Sequence, residues 1–395
     1  MIKSTSSIYQ AAKSIQRVAS IDIFRALTMF LMIFVNDVDG VRQIPDWIKH
    51  VRVDESGLGF ADVIFPAFLF IVGLSIPLAI QRKLKQGYGT LYLIRYISAR
   101  AIALIIMGLF HVNFSYYNES LAILPKPIFI IATTLAFFLI WLDYSKITSK
   151  KNQIILQVLG IGLLIALAAI YRSGTFDQPA WMKLHWWGIL GLIGWAYWLV
   201  ALAYLFLSGK LPWLMVFFAI LTLINIAVHM QLISLPALIV GDTAHAILVA
   251  GGAICTLLYR LFKENPALLL LIGLILIGFG LILSGFTDGI NKIRATPAWV
   301  HICMGISFAF YGASVYLIDL KNKEHYFSWI SAAGTNTLTC YLLPYCWYAV
   351  FQLMGLHWPT LFNVGAGGIF RSLLIAFIIV QIAGWMGKKG IRIKV

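Results

Sequence analysis

His50 and Asp62 are the two side chains of this sequence best suited by type and spacing to do chemistry. A carboxylate that contacts an imidazole fixes its tautomer and stabilises its protonated form, so such a pair predicts a general base or a nucleophile. His50 belongs to a polar segment, residues 38–58, and Asp62 stands at the start of the apolar segment that follows. A histidine in a polar loop is more often an ordinary solvated side chain, so the spacing needs support from the rest of the chain.

A second group of polar side chains lies within the first apolar segment. Asp22 and Arg25 are three residues apart, and Asn36 follows close to three helical turns later, so the three share one face of a helix. Ionisable groups in apolar segments are costly and often mark functional sites. The stripe predicts either an ion pair that holds the first helix in its bundle or a ligand site.

The composition determines the class of protein that must position these residues. The chain has 395 residues, of which 61% are hydrophobic and 11% are charged. Soluble domains are about 45–50% apolar and about 25% charged. A soluble globular enzyme, a disordered chain and a nucleic-acid binder are therefore excluded. The four cysteines lie in apolar segments without a CxxC pair and no metal-binding motif occurs, so we expect buried thiols and no metal.

Hydropathy predicts an all-α polytopic membrane protein with a bundle of 10–12 transmembrane helices, because each span needs about 20 apolar residues. Pro344 predicts a kink in the eleventh candidate span. The tryptophans near 181–198 indicate a membrane-interface belt rather than a platform for a sugar. The candidate spans are residues 20–37, 59–80, 92–112, 125–142, 153–171, 186–207, 212–230, 243–260, 267–284, 299–318, 329–354 and 368–386.

The basic residues predict the orientation of this bundle. With both termini inside, 20 lysines and arginines lie in the cytoplasmic loops, tails and adjoining span ends and 8 lie at the outer side, as the positive-inside rule requires. The net charge of +15 thus mostly records orientation. We expect a cytoplasmic tail at 1–19, one transmembrane domain at 20–386 with an outer loop at 38–58, and a cytoplasmic tail at 387–395.

Several motifs resemble one known family. Residues 20–36 are similar to the S-x-D-x-F-R-G opening of the heparan-alpha-glucosaminide N-acetyltransferase family. His50 and residues 61–76, which read ADVIFPAFLFIVGLSI, match the histidine and the A-D-L-V-F-P block that follow in the family. Residues 290–292 and 334–338 resemble its I-N-K and G-x-N-A-L elements. The loop resembles that of a bacterial branch linked to N-acetylglucosamine use.

The sequence departs from the family pattern in places. The glycine that follows the arginine in the family is Ala26 here, and no tryptophan follows His50. Residues 115–235 show no clear match. These departures concern the side of the acceptor more than the type of reaction.

The resemblance implies that an acetyl group passes across a bacterial inner membrane from cytoplasmic acetyl-CoA, the co-substrate, to an amino sugar or glycan on the outer side. His50 would act as base or acyl carrier, Asp62 would orient it, and Asn36 would donate to the thioester oxyanion. The predicted contacts to the anionic coenzyme are Arg17, Asp22, Arg25 and Arg82, and the predicted contacts to the acceptor are Trp47, Asp54, Asn113 and Asn336. A homodimer is left open.

Two other classes of protein compete with this interpretation. Twelve spans with both ends inside are also common in secondary transporters, in which Asp22, Arg25 and His111 would bind a solute such as an amino sugar. The chain shows no paired broken helices in two halves, which argues against a transporter. A membrane scaffold without activity would leave the stripe at Asp22, Arg25 and Asn36 unexplained.

Overall fold

The computed structural model describes residues 19–146, 148–234, 243–262 and 264–395, except for the side chain of Lys146. In this part of the chain nearly all regular structure is helical, and one two-residue hairpin pairs β1 (Ser173–Gly174) with β2 (Pro179–Ala180). The α-helices are α1 (Ala19–Val38), α2 (Ala61–Lys85), α3 (Thr90–Tyr116), α4 (Lys126–Trp141), α5 (Lys150–Ile170), α6 (Gly188–Phe206), α7 (Leu211–His229), α8 (Ala244–Leu261), α9 (Pro266–Ser284), α10 (Pro297–Ser314), α11 (Ser331–Thr335), α12 (Thr337–Leu353) and α13 (Gly365–Lys388).

The prediction of an all-α polytopic membrane protein is confirmed. Among the described residues, ten helices are long and apolar enough to cross a membrane, with α10 counted together with a π-helical turn (Val315–Leu320). The shorter α4 is also apolar. Backbone amides and carbonyls have no water to bind in a bilayer, so apolar segments of this length satisfy them internally as helices.

The eleventh predicted span is interrupted at a residue where no break was predicted. Residues 329–354 comprise part of a 3₁₀-helix (Glu324–Ile330), the short α11, and α12, and the interruption lies at Asn336. Pro344 lies inside α12. The side-chain amide of Asn336 donates to the carbonyl of Ala383 on α13 at 3.1 Å, which ties the interruption to that helix.

Contacts between connecting segments define two ends of the bundle. At the first, which we call the loop end, the α1–α2 connection contacts the α9–α10 connection, where Gly57 donates its amide to Ile290 at 2.8 Å. At the second, the tail end, residues 389–395 pack against the α4–α5 connection, and Arg392 pairs with Asp143 at 2.8 Å. The predicted site residues His50 and Arg25 therefore belong to opposite ends.

A buried ion pair fixes α1 against the helices of the C-terminal half at the loop end. Arg371 of α13 donates to the carboxylate of Asp37 at 3.0 Å, and Ser372 donates to the same oxygen at 2.6 Å. Tyr348 of α12 donates to the other oxygen, and Asn363 accepts from the guanidinium. Both charges are buried, so the network holds the end of α1 from which the loop to α2 departs.

Two glycines let α2 and α8 approach closely. A Cβ atom on Gly73 would lie 2.0 Å from the carbonyl oxygen of Val249, and one on Gly252 would lie 2.0 Å from that of Phe70. Small residues allow backbones in a membrane to pack directly, where no hydrophobic force drives helices together. This contact fixes α2, the helix that carries Asp62.

We expect Gly252→Ala to lower the free energy of unfolding by about 1–3 kcal/mol, because overpacking displaces α2 from α8. The midpoint of thermal unfolding in detergent measures the effect. Gly162→Ala on α5 is the matched control, since a Cβ atom there meets nothing within 4 Å. Equal midpoints for the two variants would contradict close packing at Gly252.

Candidate active site

His50 and Asp62 are in direct contact at the loop end. Nδ1 of His50 lies 2.6 Å from Oδ1 of Asp62, a short distance typical of a hydrogen bond to a charged acceptor. The side chain of Asp62 is buried, whereas 28% of the His50 side chain is exposed. A proton on Nδ1 that is shared with the carboxylate leaves the Nε2 lone pair free for chemistry.

The second carboxylate oxygen of Asp62 anchors the loop that carries His50. Oδ2 accepts the backbone amides of Val51 at 3.0 Å and Gly59 at 3.1 Å. A Cβ atom on Gly59 would lie 1.9 Å from the carbonyl oxygen of Lys49, so only glycine fits there. Since the carboxylate is held in the first turn of α2, the helix dipole also favours its charge.

The α9–α10 connection supports the loop from the other side. The side-chain amide of Asn291 donates to the backbone carbonyls of Arg52 at 2.6 Å and Glu55 at 2.8 Å. The backbone N–H of Asn291 donates to the hydroxyl of Thr296 at 3.0 Å. Trp299 of α10 donates its indole N–H to the backbone carbonyl of Asp62 at 3.1 Å. The side chains of Asn291 and Trp299 therefore hold the loop and the start of α2 through hydrogen bonds to backbone carbonyls.

Lys292 brings a positive charge against the His50 ring. Its Nζ lies 3.3 Å from Nδ1 and 3.4 Å from Nε2. An atom on the axis of the Nε2 lone pair would lie much farther from Nδ1 than from Nε2. Nζ is almost equally distant from the two nitrogens, so the ammonium lies off that axis and leaves the lone pair accessible. Burial lowers the pKa of Lys292, while the charge of Asp62 opposes this shift. The sequence analysis quoted Lys292 in a motif but gave it no role.

The other predicted catalytic and acceptor residues at the loop end do not join this group. Asn36 is exposed at the end of α1. Trp47 is 66% exposed, and exposed Asp54 pairs with Arg52 at 3.2 Å. Their predicted roles remain predictions, because none of these three side chains contacts His50 or Asp62 among the described residues.

Asn113 and Asn336 are buried and make structural hydrogen bonds. The side-chain N–H of Asn113 donates to the backbone carbonyl of Lys183 at 3.0 Å, and its side-chain oxygen accepts from the backbone N–H of Lys183 at 3.2 Å. These two bonds tie α3 to the segment before α6. Asn336 bonds to α13 as described above. Interhelical bonding is an ordinary use of an amide in a membrane bundle.

Arg25 lines a cavity of about 430 Å³ that begins at the tail end. The guanidinium pairs with Asp22 at 3.1 Å and donates to Ser75 of α2 at 2.8 Å. Two further cations line the cavity, Arg100 of α3 and Lys394 of the C-terminal segment. The sequence analysis missed both, since each comes from a distant part of the chain.

Two predicted coenzyme contacts among the described residues, Asp22 and Arg82, do not line this cavity. Arg82 is exposed and is absent from the cavity lining. Arg17 lies outside the described residues.

The cavity extends from the cations along α1 and α2 towards the loop end. Met32 and Phe68 line it. Phe68 lies six residues beyond Asp62 on α2, which corresponds to about 9 Å along the helix axis. A long, thin ligand with an anionic head could thus reach from the tail end towards the His50–Asp62 pair.

The fold and this site together define a polytopic α-helical membrane protein with a histidine–carboxylate–lysine cluster at one end of its bundle. The chain belongs to the family described as "Domain of unknown function (DUF5009)", which matches residues 17–229.

Two curated relatives match a shorter part of the chain. Heparan-alpha-glucosaminide N-acetyltransferase of Homo sapiens is 37% identical over 100 residues, which are 25% of this chain and 14% of that protein. The Mus musculus protein of the same name is 38% identical over 103 residues, or 26% of this chain and 15% of the relative. The match thus spans about a seventh of the relatives' length, and the predicted resemblance is confirmed.

Proposed function

We propose that this protein is a membrane acetyltransferase that transfers the acetyl group of acetyl-CoA, bound from the tail end, to the amine of an amino sugar at the loop end. The observation that carries the proposal is the contact between His50 and Asp62 beside Lys292. The relatives are named as glucosaminide N-acetyltransferases, which supports an amino sugar as acceptor.

The cavity with Arg25, Arg100 and Lys394 supports an anionic donor. Cations that converge on a cavity attract phosphate groups, and arginine can bind them through two parallel hydrogen bonds. The positive-inside rule supports placing this end in the cytoplasm, where acetyl-CoA is found, with the loop end outside a bacterial inner membrane.

The residues of the site support two routes for acetyl transfer. In both routes the thioester carbonyl of acetyl-CoA is the electrophile. In the first, Nε2 of His50 takes the proton of the attacking amine and returns it to the leaving thiolate as the amide bond forms and the thioester bond breaks. In the second, Nε2 itself attacks the thioester carbonyl, and the CoA thiolate leaves as the thioester bond breaks. The amine then attacks the acetyl group, the bond from the acetyl carbon to Nε2 breaks, and the amine proton passes through Nε2 to the thiolate. In both routes Asp62 stabilises the charge that develops on the imidazole.

Lys292 is assigned the task of stabilising negative charge on the acetyl oxygen. We expect Lys292→Met to lower kcat by about 10²- to 10³-fold, because the cation beside the reacting carbonyl is gone. Lys292→Arg keeps the positive charge and is expected to retain most of the rate. Initial rates at saturating acetyl-CoA measure both variants, and a wild-type rate in Lys292→Met would contradict this role.

The test of the proposed function uses the full chain in detergent with radiolabelled acetyl-CoA and glucosamine. We expect labelled N-acetylglucosamine to form. Label trapped on His50 in the absence of glucosamine would favour the two-step route. Failure to acetylate any amino sugar, together with glucosamine uptake into sealed vesicles without acetyl-CoA, would replace the proposal with transport.

A further inference from the structure

A second cavity of about 360 Å³ opens at the loop end between α3, α4, α6 and α12. This volume lies within the range of ligand sites, about 300–1,000 Å³. Within the described part of the chain, the cavity lining includes none of His50, Asp62 and Lys292. The residues that matter here are His111, Tyr116, Lys126, Trp186, Tyr341 and Tyr345.

His111 of α3 is the most unusual group in this cavity. The residue is only 8% exposed, and neither ring nitrogen has a hydrogen-bond partner among the described residues. One face of its ring stacks on Tyr345 with 4.2 Å between centroids. A neutral imidazole offers one donor and one acceptor, and buried polar groups in native proteins are almost always paired. His111 is thus arranged to bond to something that enters the cavity.

The remaining walls are aromatic and carry hydroxyl groups. Tyr116 and Trp186 are about half exposed, and Tyr116 stacks on His185 with 3.6 Å between centroids. Deeper in, the hydroxyls of Tyr341 and Tyr345 lie 3.4 Å apart. Trp186, one of the tryptophans for which the sequence analysis preferred a membrane-interface belt to a sugar platform, lines the cavity.

We propose that this cavity is a binding site for a neutral pyranose. A pyranose ring has faces of C–H groups that pack on the electron-rich faces of aromatic rings, and a rim of hydroxyls that both donate and accept hydrogen bonds. The aromatic walls match the faces, and the two ring nitrogens of His111 match the rim. Lys126 adds a positive charge, which disfavours the ammonium form of an amino sugar relative to its neutral N-acyl form.

The site goes beyond the acetyl transfer proposed for His50 and does not depend on it. Two of its lining residues, Ile189 and Tyr341, also line the cavity that contains Arg25, so the two cavities are neighbours within the bundle. A sugar bound here would therefore lie next to the space assigned to the acetyl donor.

The test measures binding of radiolabelled N-acetylglucosamine to the full purified chain by equilibrium dialysis. We expect saturable binding, weakened about tenfold or more by His111→Phe, which removes both ring nitrogens but keeps an aromatic ring among aromatic neighbours. Trp186→Ala is expected to weaken it about threefold to tenfold. Trp213→Ala is the matched control, since Trp213 is exposed on α7 away from the cavity and should change nothing.

His111→Phe also distinguishes a binding role from a structural one. The substitution removes two unpaired buried polar atoms, so the midpoint of thermal unfolding should stay or rise while binding falls. A lower midpoint with unchanged binding, or the absence of saturable binding to the wild-type chain, would overturn the proposal. Glucosamine should bind more weakly than N-acetylglucosamine, and Lys126→Gln should reduce this preference.

His50→Ala separates this proposal from the function proposed above. Sugar binding that depends on His111 and persists in His50→Ala supports the second site, whether or not the chain transfers acetyl groups. Sugar binding that is lost in His50→Ala and unaffected by His111→Phe would assign the sugar to the His50 site and overturn the second site.

Discussion

Replacing His50 by alanine should lower the rate of acetyl transfer by about 10²- to 10⁴-fold, the usual contribution of a positioned general base. The loss would be complete to the limit of detection if His50 carries the acetyl group covalently, because no other histidine among the described residues is paired with Asp62. Initial rates with radiolabelled acetyl-CoA and glucosamine measure the effect. The thermal midpoint should change little, since the ring is partly exposed and the loop is held by Asp62 and Asn291.

His357→Ala is the control for this experiment. His357 is an exposed histidine in the α12–α13 connection, at the same end of the bundle, and its removal should leave the rate unchanged. Asp62→Asn should fall between the two, since an amide can still accept one hydrogen bond but cannot stabilise an imidazolium. Transfer by His50→Ala within twofold of wild type would remove His50 from the mechanism.

Arg371→Met should produce the largest loss of stability among the substitutions considered, about 3–5 kcal/mol in the free energy of unfolding. The substitution leaves the buried carboxylate of Asp37 without its cation, and Ser372 and Tyr348 are then the side chains that donate to it. Because the network ties α1 to α12 and α13, loss of the pair loosens the end of α1 next to the His50 loop. Reversible unfolding by denaturant in mixed micelles gives the free energy.

The double variant Asp37→Asn/Arg371→Met should recover most of this loss, because no uncompensated charge stays buried. Arg52→Met is the matched control: its guanidinium is 75% exposed and pairs with exposed Asp54, so we expect a change below about 1 kcal/mol. If Arg371→Met and Arg52→Met destabilised the protein equally, the buried pair would have no special part in holding α1.

The helices of this protein were predictable because an apolar segment in a bilayer can satisfy its backbone hydrogen bonds by forming a helix. Segments of about 20 apolar residues must satisfy their own backbone groups, and the twelve predicted spans fall on helices. The interruption at Asn336 was not predicted, and the bond from its side chain to Ala383 on another helix is a contact that hydropathy cannot report. Periodicity and hydropathy report on one segment at a time and carry no record of which segments become neighbours.

The candidate site also has one part that the sequence determines and another that depends on the tertiary structure. The sequence by itself determined the membrane class, the helical segments and the pairing of Asp22 with Arg25, because these depend on composition and on residues one helical turn apart. It also singled out His50 and Asp62, which are close in the chain and lie on either side of a helix start.

Only the tertiary structure brought Lys292 to the histidine, Arg100 and Lys394 to Arg25, and Tyr345 to His111. The physical reason is that these contacts join segments far apart in the chain, and the packing of the helices that carry or flank those segments decides which of them become neighbours.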